Sequence, residues 1–188
     1  MLELLEVGIL AFALNFFAEL GDKTQLAVLA LSSKYPDKKN VFLGSFLGLA
    51  LAVAVSVLLG GAVSQLIPPQ TIKAVAGIAF VLFGAYTFFA RENEKESELK
   101  NNKTPFISSF ILLFLMEMGD KTQLANFFLG ASYSALAVFL GAVLALGLLT
   151  ALAVVSGAEI SKRIDPSTVR MVSALLFVLA GVSALAGL

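Results

Sequence analysis

Glu19, Gly21, Asp22, Lys23, Thr24 and Gln25 return at the same spacing as Glu117, Gly119, Asp120, Lys121, Thr122 and Gln123, so one polar heptapeptide is written twice in this chain. Each copy sits inside an apolar run long enough to span a bilayer. An ionised Asp or Lys at the centre of a membrane helix is penalised by roughly 2.5–3.5 kcal/mol on insertion scales, so two carboxylates and an ammonium per copy call for a function or for very good pairing. The chemistry on offer is that of oxygen ligands. Residues three apart on a helix are separated by about 60°, which puts Glu19 with Asp22, and Glu117 with Asp120, on common faces that Gln25 and Gln123 continue one turn later. Gly21 and Gly119 are the points where the helix should unwind and free backbone carbonyls as further ligands.

Four carboxylates against Lys23 and Lys121 leave a deficit of two negative charges, which one divalent cation or two protons would neutralise. That is the arithmetic of exchange. The chain has no His and no Cys, which removes the usual ligands of zinc, copper and haem. An oxygen shell favours Mn²⁺, Ca²⁺ or Mg²⁺. Met116 and Met118 flank Glu117 and suit packing better than ligation. Each Lys stands four residues after its own Glu and could neutralise it locally, leaving a purely structural pair; alternatively it holds the Asp or occupies the empty site. Asn15 and Asn126 share the motif face, as ligands or, more simply, as interhelical hydrogen-bonding groups. Thr24 and Thr122 offer hydroxyls to the site or back to their own helices.

The elements that must position these groups are membrane helices. With 59% hydrophobic and only 14% charged residues in 188, the chain is an all-α membrane protein, and its equal count of acids and bases gives no argument for nucleic acid. Six spans are expected, Leu4–Leu31, Val41–Ile67, Gln70–Ala90, Pro105–Gly130, Ala135–Ala158 and Ser167–Leu188. The repeat extends beyond the motif: the copies are offset by 98 residues there, and by 97 at Phe42-Leu43-Gly44 against Phe139-Leu140-Gly141 and at Pro69 against Pro166. Residues 1–90 and 105–188 are thus two three-helix units, joined by a charged cytoplasmic linker over 91–104. Because three is odd, the second unit enters from the opposite side, a 3+3 inverted-topology repeat whose first and fourth helices are broken. Gly44-Ser45-Phe46-Leu47-Gly48 and Gly141-Ala142-Val143-Leu144-Ala145 read as close helix packing.

Lys34, Lys38, Lys39, Arg91, Lys95, Lys100, Lys103, Lys162, Arg163 and Arg170 fall on one side and only Lys73 on the other. The positive-inside rule makes the first side cytoplasmic and both termini non-cytoplasmic. The acidic start, with Glu3 and Glu6, is not that of a cleaved signal peptide.

At these residues the chain resembles the membrane family built on a duplicated Glu-x-Gly-Asp-Lys/Arg-Thr/Ser motif, which includes bacterial manganese exporters and Golgi-type manganese/calcium transporters. Both copies match without substitution. The resemblance implies a multi-pass secondary transporter, here of a prokaryotic plasma membrane, that carries Mn²⁺ out of the cytoplasm against protons. Ca²⁺/proton antiport or a divalent cation channel are the alternatives. It implies Glu19, Asp22, Glu117 and Asp120 as metal ligands, with Thr24 and Thr122 contributing; Gln25 and Gln123 rest on helical spacing. The partners are the metal ion and the bilayer, no resident cofactor is called for, and oligomeric state is open. An intramembrane enzyme would need a nucleophile or an activated water, and no motif for either is present, so no catalytic residue is assigned.

Overall fold

The computed structural model describes residues 2–89, 104–156 and 166–186. Among them every regular element is a helix: α1 Leu2–Glu19, α2 Lys23–Lys34, α3 Lys38–Val63, α4 Pro69–Phe89, α5 Pro105–Glu117, α6 Lys121–Ser132, α7 Ala135–Ser156 and α8 Pro166–Ala186. Local chemistry sets the boundaries. α4, α5 and α8 each begin at a proline, whose fixed φ suits a first helical turn and whose missing N–H has no partner there to lose. Asp37 caps α3, its carboxylate accepting from the Asn40 amide at 3.1 Å.

The first and fourth expected spans are each two helices. Gly21 and Gly119 have φ of +81° and +84°, conformations that L side chains rarely adopt, and both helices stop there. The two breaks are built alike. The Leu20 amide donates to the Phe16 carbonyl at 2.9 Å and Asp22 to Glu19 at 3.2 Å; Met118 donates to Phe114 at 3.2 Å and Asp120 to Glu117 at 3.1 Å. At the first break the chain turns through 67°.

α1 lies along α7, α3 along α5, and α4 along α8, while α3 also packs on α6 and α7. The seams depend on small residues: a Cβ on Gly48 would stand 2.5 Å from the Phe110 carbonyl oxygen, Gly44 is pressed on Phe106, and Gly141 on α7 is pressed on Gly8 of α1 in the same way. The small-residue patterns therefore are packing seams, as expected. α3, residues 70–89 and residues 135–155 are long and apolar enough to cross a membrane, and α1 with α2 would make a fourth crossing as a bent pair; α5 and residues 171–186 are apolar but shorter. Leu58, Phe89, Leu136 and Val155 face outward, whereas Asn15, Glu19, Asp22, Thr24, Glu117, Thr122 and Asn126 are buried. Apolar outside and polar inside is the arrangement that lipid demands. The expected linker over 91–104 lies outside the described residues except for Thr104, the N-cap of α5.

Candidate metal centre

The two breaks bring the repeated acids together. Glu19 and Glu117 end α1 and α5 and are each 1% exposed. Glu19, Glu117 and Asp120 each present a carboxylate oxygen such that the three lie within 4.8 Å of one another. Each of these residues also has a buried carboxylate oxygen with no hydrogen-bond partner: Oε1 of Glu19, Oε2 of Glu117 and Oδ2 of Asp120. Unpartnered buried carboxylate oxygens are costly, and a cation or a proton is what satisfies them.

Asp22 differs from its twin. One oxygen accepts from the Lys23 amide at 2.7 Å and caps α2, and the other pairs with Lys121. Asp120 makes no such cap and pairs through Oδ1 with Lys23 at 2.8 Å. Both lysines thus reach across to the other motif. Each pairs directly with the opposite Asp, across the two motifs, in addition to whatever the four-residue spacing allows within its own. By formal count the two lysines offset two of the four carboxylates, so the cluster as a whole keeps two negative charges. The pairs are unequal: the Lys23 side chain is 45% exposed and that of Lys121 16%.

The remaining motif residues hold the acids in place. Thr24 donates its hydroxyl to Glu19 and Thr122 to Glu117, each across its own break, so neither hydroxyl bonds back to its helix. Gln25 accepts from the Gly21 amide at 2.8 Å, and Gln123 from the Gly119 amide. The amide oxygens are therefore engaged in closing the breaks, and the Gln123 amide nitrogen contacts the Met118 sulfur at 3.0 Å. The carbonyls of Glu19 and Glu117 are likewise taken up by the turns. Asn15 and Asn126 exchange two hydrogen bonds of 2.9 Å between α1 and α6, and Asn15 also donates to the Ala11 carbonyl at 2.8 Å, so both serve as interhelical links.

A cavity of about 10 Å³, room for about one water molecule, opens beside Glu19, Thr24, Gln25 and Val28, with Leu49 of α3 and Leu146, Leu149 and Thr150 of α7 on its other wall. Thr150 is a buried hydroxyl residue that motif reasoning did not single out. Its only signal in the sequence is that the repeat has Val53 at the matching position.

A family described as "Divalent cation/proton antiporter GDT1" matches residues 7–95 and 105–187. A protein of Vibrio cholerae named "Putative manganese exporter" is 32% identical over 181 residues, covering 95% of this chain and 88% of its own length. "GDT1-like protein sll0615" of Synechocystis is 31% identical over 200 residues and 95% of both chains. "GDT1-like protein 5" of Arabidopsis thaliana is 26% identical, covering 93% of both. No solved structure matches the chain.

Proposed function

Because the chain belongs to the GDT1 family of divalent cation/proton antiporters, we propose that it exports Mn²⁺ from the cytoplasm in exchange for protons, with Glu19, Glu117 and Asp120 holding the ion. The observation that carries this reading is the trio of carboxylate oxygens within 4.8 Å in a buried, histidine-free and cysteine-free site. Oxygen donors alone suit Mn²⁺, Ca²⁺ and Mg²⁺. Manganese is preferred because a relative bears a manganese exporter's name. With two of the four carboxylates offset by Lys121 and Lys23, the cluster requires two positive charges, and either one Mn²⁺ or two protons supplies them. Occupation by one excludes the other, which is the coupling that antiport needs.

The architecture in this reading is six spans in an inverted 3+3 repeat, residues 1–90 and 105–188, with α1–α2 and α5–α6 as the broken first and fourth spans. The matching breaks support it, and so does the exchange of partners, α1 on α7 and α5 on α3. In this reading the membrane is a prokaryotic plasma membrane with both termini outside the cytoplasm, an orientation supported by the asymmetry of cations between Lys34, Lys38 and Lys39 on one side and Lys73 on the other. Alternating exposure of the midplane carboxylates to the two sides then moves the cation outward and protons inward.

The test is Mn²⁺ flux in proteoliposomes under a pH gradient, with Ca²⁺ and Mg²⁺ as competitors. Mn²⁺ movement accompanied by opposite proton movement is expected, and Glu19→Gln or Glu117→Gln should abolish both. Flux unchanged in both variants refutes the site; conductance without proton counterflow refutes antiport.

A further inference from the structure

The two halves differ on either side of the carboxylates, and the difference is chemical. Ser45 of α3 and Ser109 of α5 are both fully buried, and neither hydroxyl has a hydrogen-bond partner. Both lie beside the seam where Gly44 meets Phe106 and Gly48 meets Phe110, so they share one level near the end at which α2 stops and α3 and α5 start. The repeat places Ala142 and Ala11 at the matching positions, beside the matching seam of Gly141 on Gly8, and both are fully buried. Alanine therefore fits this packing, and the serine hydroxyls are not needed to fill space. Inward from Ser109, one turn along α5, stands Leu113, and a further turn brings Glu117, roughly 12 Å from Ser109 along the helix. Inward from Ser45, one turn along α3, stands Leu49, which lines the cavity beside Glu19. On the other side of the site the positions matching Leu113 and Val28 are Asn15 and Asn126, the amide pair.

We propose that Ser45 and Ser109 form an antechamber through which the hydrated divalent cation reaches the carboxylates from the α2–α3 end, their hydroxyls replacing part of its water shell before an apolar step at Leu49 and Leu113. This rests on the transport reading above. A hydroxyl is a neutral oxygen donor, suited to holding a cation weakly enough to pass it on to Glu19, Glu117 and Asp120. The opposite route is of another kind: alanines lie outermost and the Asn15–Asn126 pair stands next to the site. Leu146 matches Leu49 and lines the same cavity, so the two ends differ at the serines, which the repeat replaces with alanines, and at Leu113 and Val28, which it replaces with the two asparagines. On the charge asymmetry of the loops, the hydroxyl end is cytoplasmic, where an exporter must take up its ion.

Two experiments on the full-length chain test this. The Ser45→Ala/Ser109→Ala double variant keeps the packing that the other half already uses. It should raise the Mn²⁺ concentration for half-maximal flux from the α2–α3 end by about tenfold, the scale of a lost hydrogen bond to a charged group. The half-maximal concentration from the opposite end should be unchanged. The chain has no cysteine, so Ser45→Cys and Ser109→Cys each carry a single thiol. Each should react with a small, positively charged, membrane-impermeant thiol reagent added at the α2–α3 end, and Mn²⁺ should slow the reaction. Absence of reaction from that end in both variants, or an unchanged half-maximal concentration in the double alanine variant, overturns the antechamber while leaving antiport standing. Labelling in a protein that shows no Mn²⁺ flux supports the route and sinks manganese as its cargo.

Discussion

At the scale of single residues, the four acids of the duplicated motif are not equivalent. Asp22 has both oxygens engaged, by the Lys23 amide and by Lys121, whereas Asp120 keeps an unpartnered Oδ2 and brings one of its carboxylate oxygens into the trio with Glu19 and Glu117. The lysines released by removing each acid differ as well, since Lys121 is largely enclosed and Lys23 is half exposed. Asp120→Asn should therefore weaken Mn²⁺ binding by calorimetry at least about tenfold, with little change in melting temperature, because an exposed Lys23 returns to solvent at small cost. Asp22→Asn should do the reverse, losing about 3–5 kcal/mol by breaking an enclosed ion pair with Lys121 from one side. Equal effects of the two variants on both measurements would contradict the inequality seen in the hydrogen bonding.

At the scale of elements, two uses of glycine organise the bundle, and they predict different failures. Gly21 has a positive φ and open space around its absent Cβ, so Gly21→Ala carries only backbone strain, about 1–2 kcal/mol. Asparagine tolerates the left-handed region better than alanine, and Gly21→Asn should recover part of that loss in the unfolding midpoint. Gly48 has ordinary helical geometry but sits against the Phe110 carbonyl, so Gly48→Ala forces α3 away from α5 and should cost about 1–3 kcal/mol that Gly48→Asn cannot recover. Recovery by asparagine at both positions, or at neither, would mean that strain and close approach had been wrongly distinguished. The glutamine contacts belong to this scale too. Gln25 and Gln123 return to the glycine amides four residues earlier and brace the two breaks through their side-chain oxygens.

At the scale of the whole molecule, the site exists only because residues about a hundred positions apart meet. The carboxylates of Glu19 and Glu117 come from different halves, and both ion pairs cross between them. An ion held there ties the halves together and binds the folded state alone. Mn²⁺ at about a hundredfold its Kd should therefore stabilise the protein by about 2.7 kcal/mol, seen as a higher melting temperature that a chelator reverses. The rise should vanish in a Glu19→Gln/Glu117→Gln protein. A metal-independent melt of the native chain would count against a site shared by the two halves.

Much of this was legible in the residues themselves. Prolines at the helix starts, glycines at the two interruptions and acids buried in apolar runs follow from backbone conformation and from the cost of charge in lipid, both of which are local to a few residues. The packing seams at Gly44, Gly48 and Gly141 could be read for the same reason. Pairing could not. Spacing along one helix left open whether Lys23 neutralises Glu19, holds an Asp or fills the empty site; once α1 ends and the chain bends by 67°, a four-residue interval no longer places two side chains on one face, and Lys23 pairs with Asp120. The same bend lets Thr24 reach Glu19. Which acid keeps a free oxygen, which amides close the breaks, and that Asn15 meets Asn126 were decided only by the docking of the two halves, because each depends on contacts between segments whose separation along the chain carries no information about their distance in space.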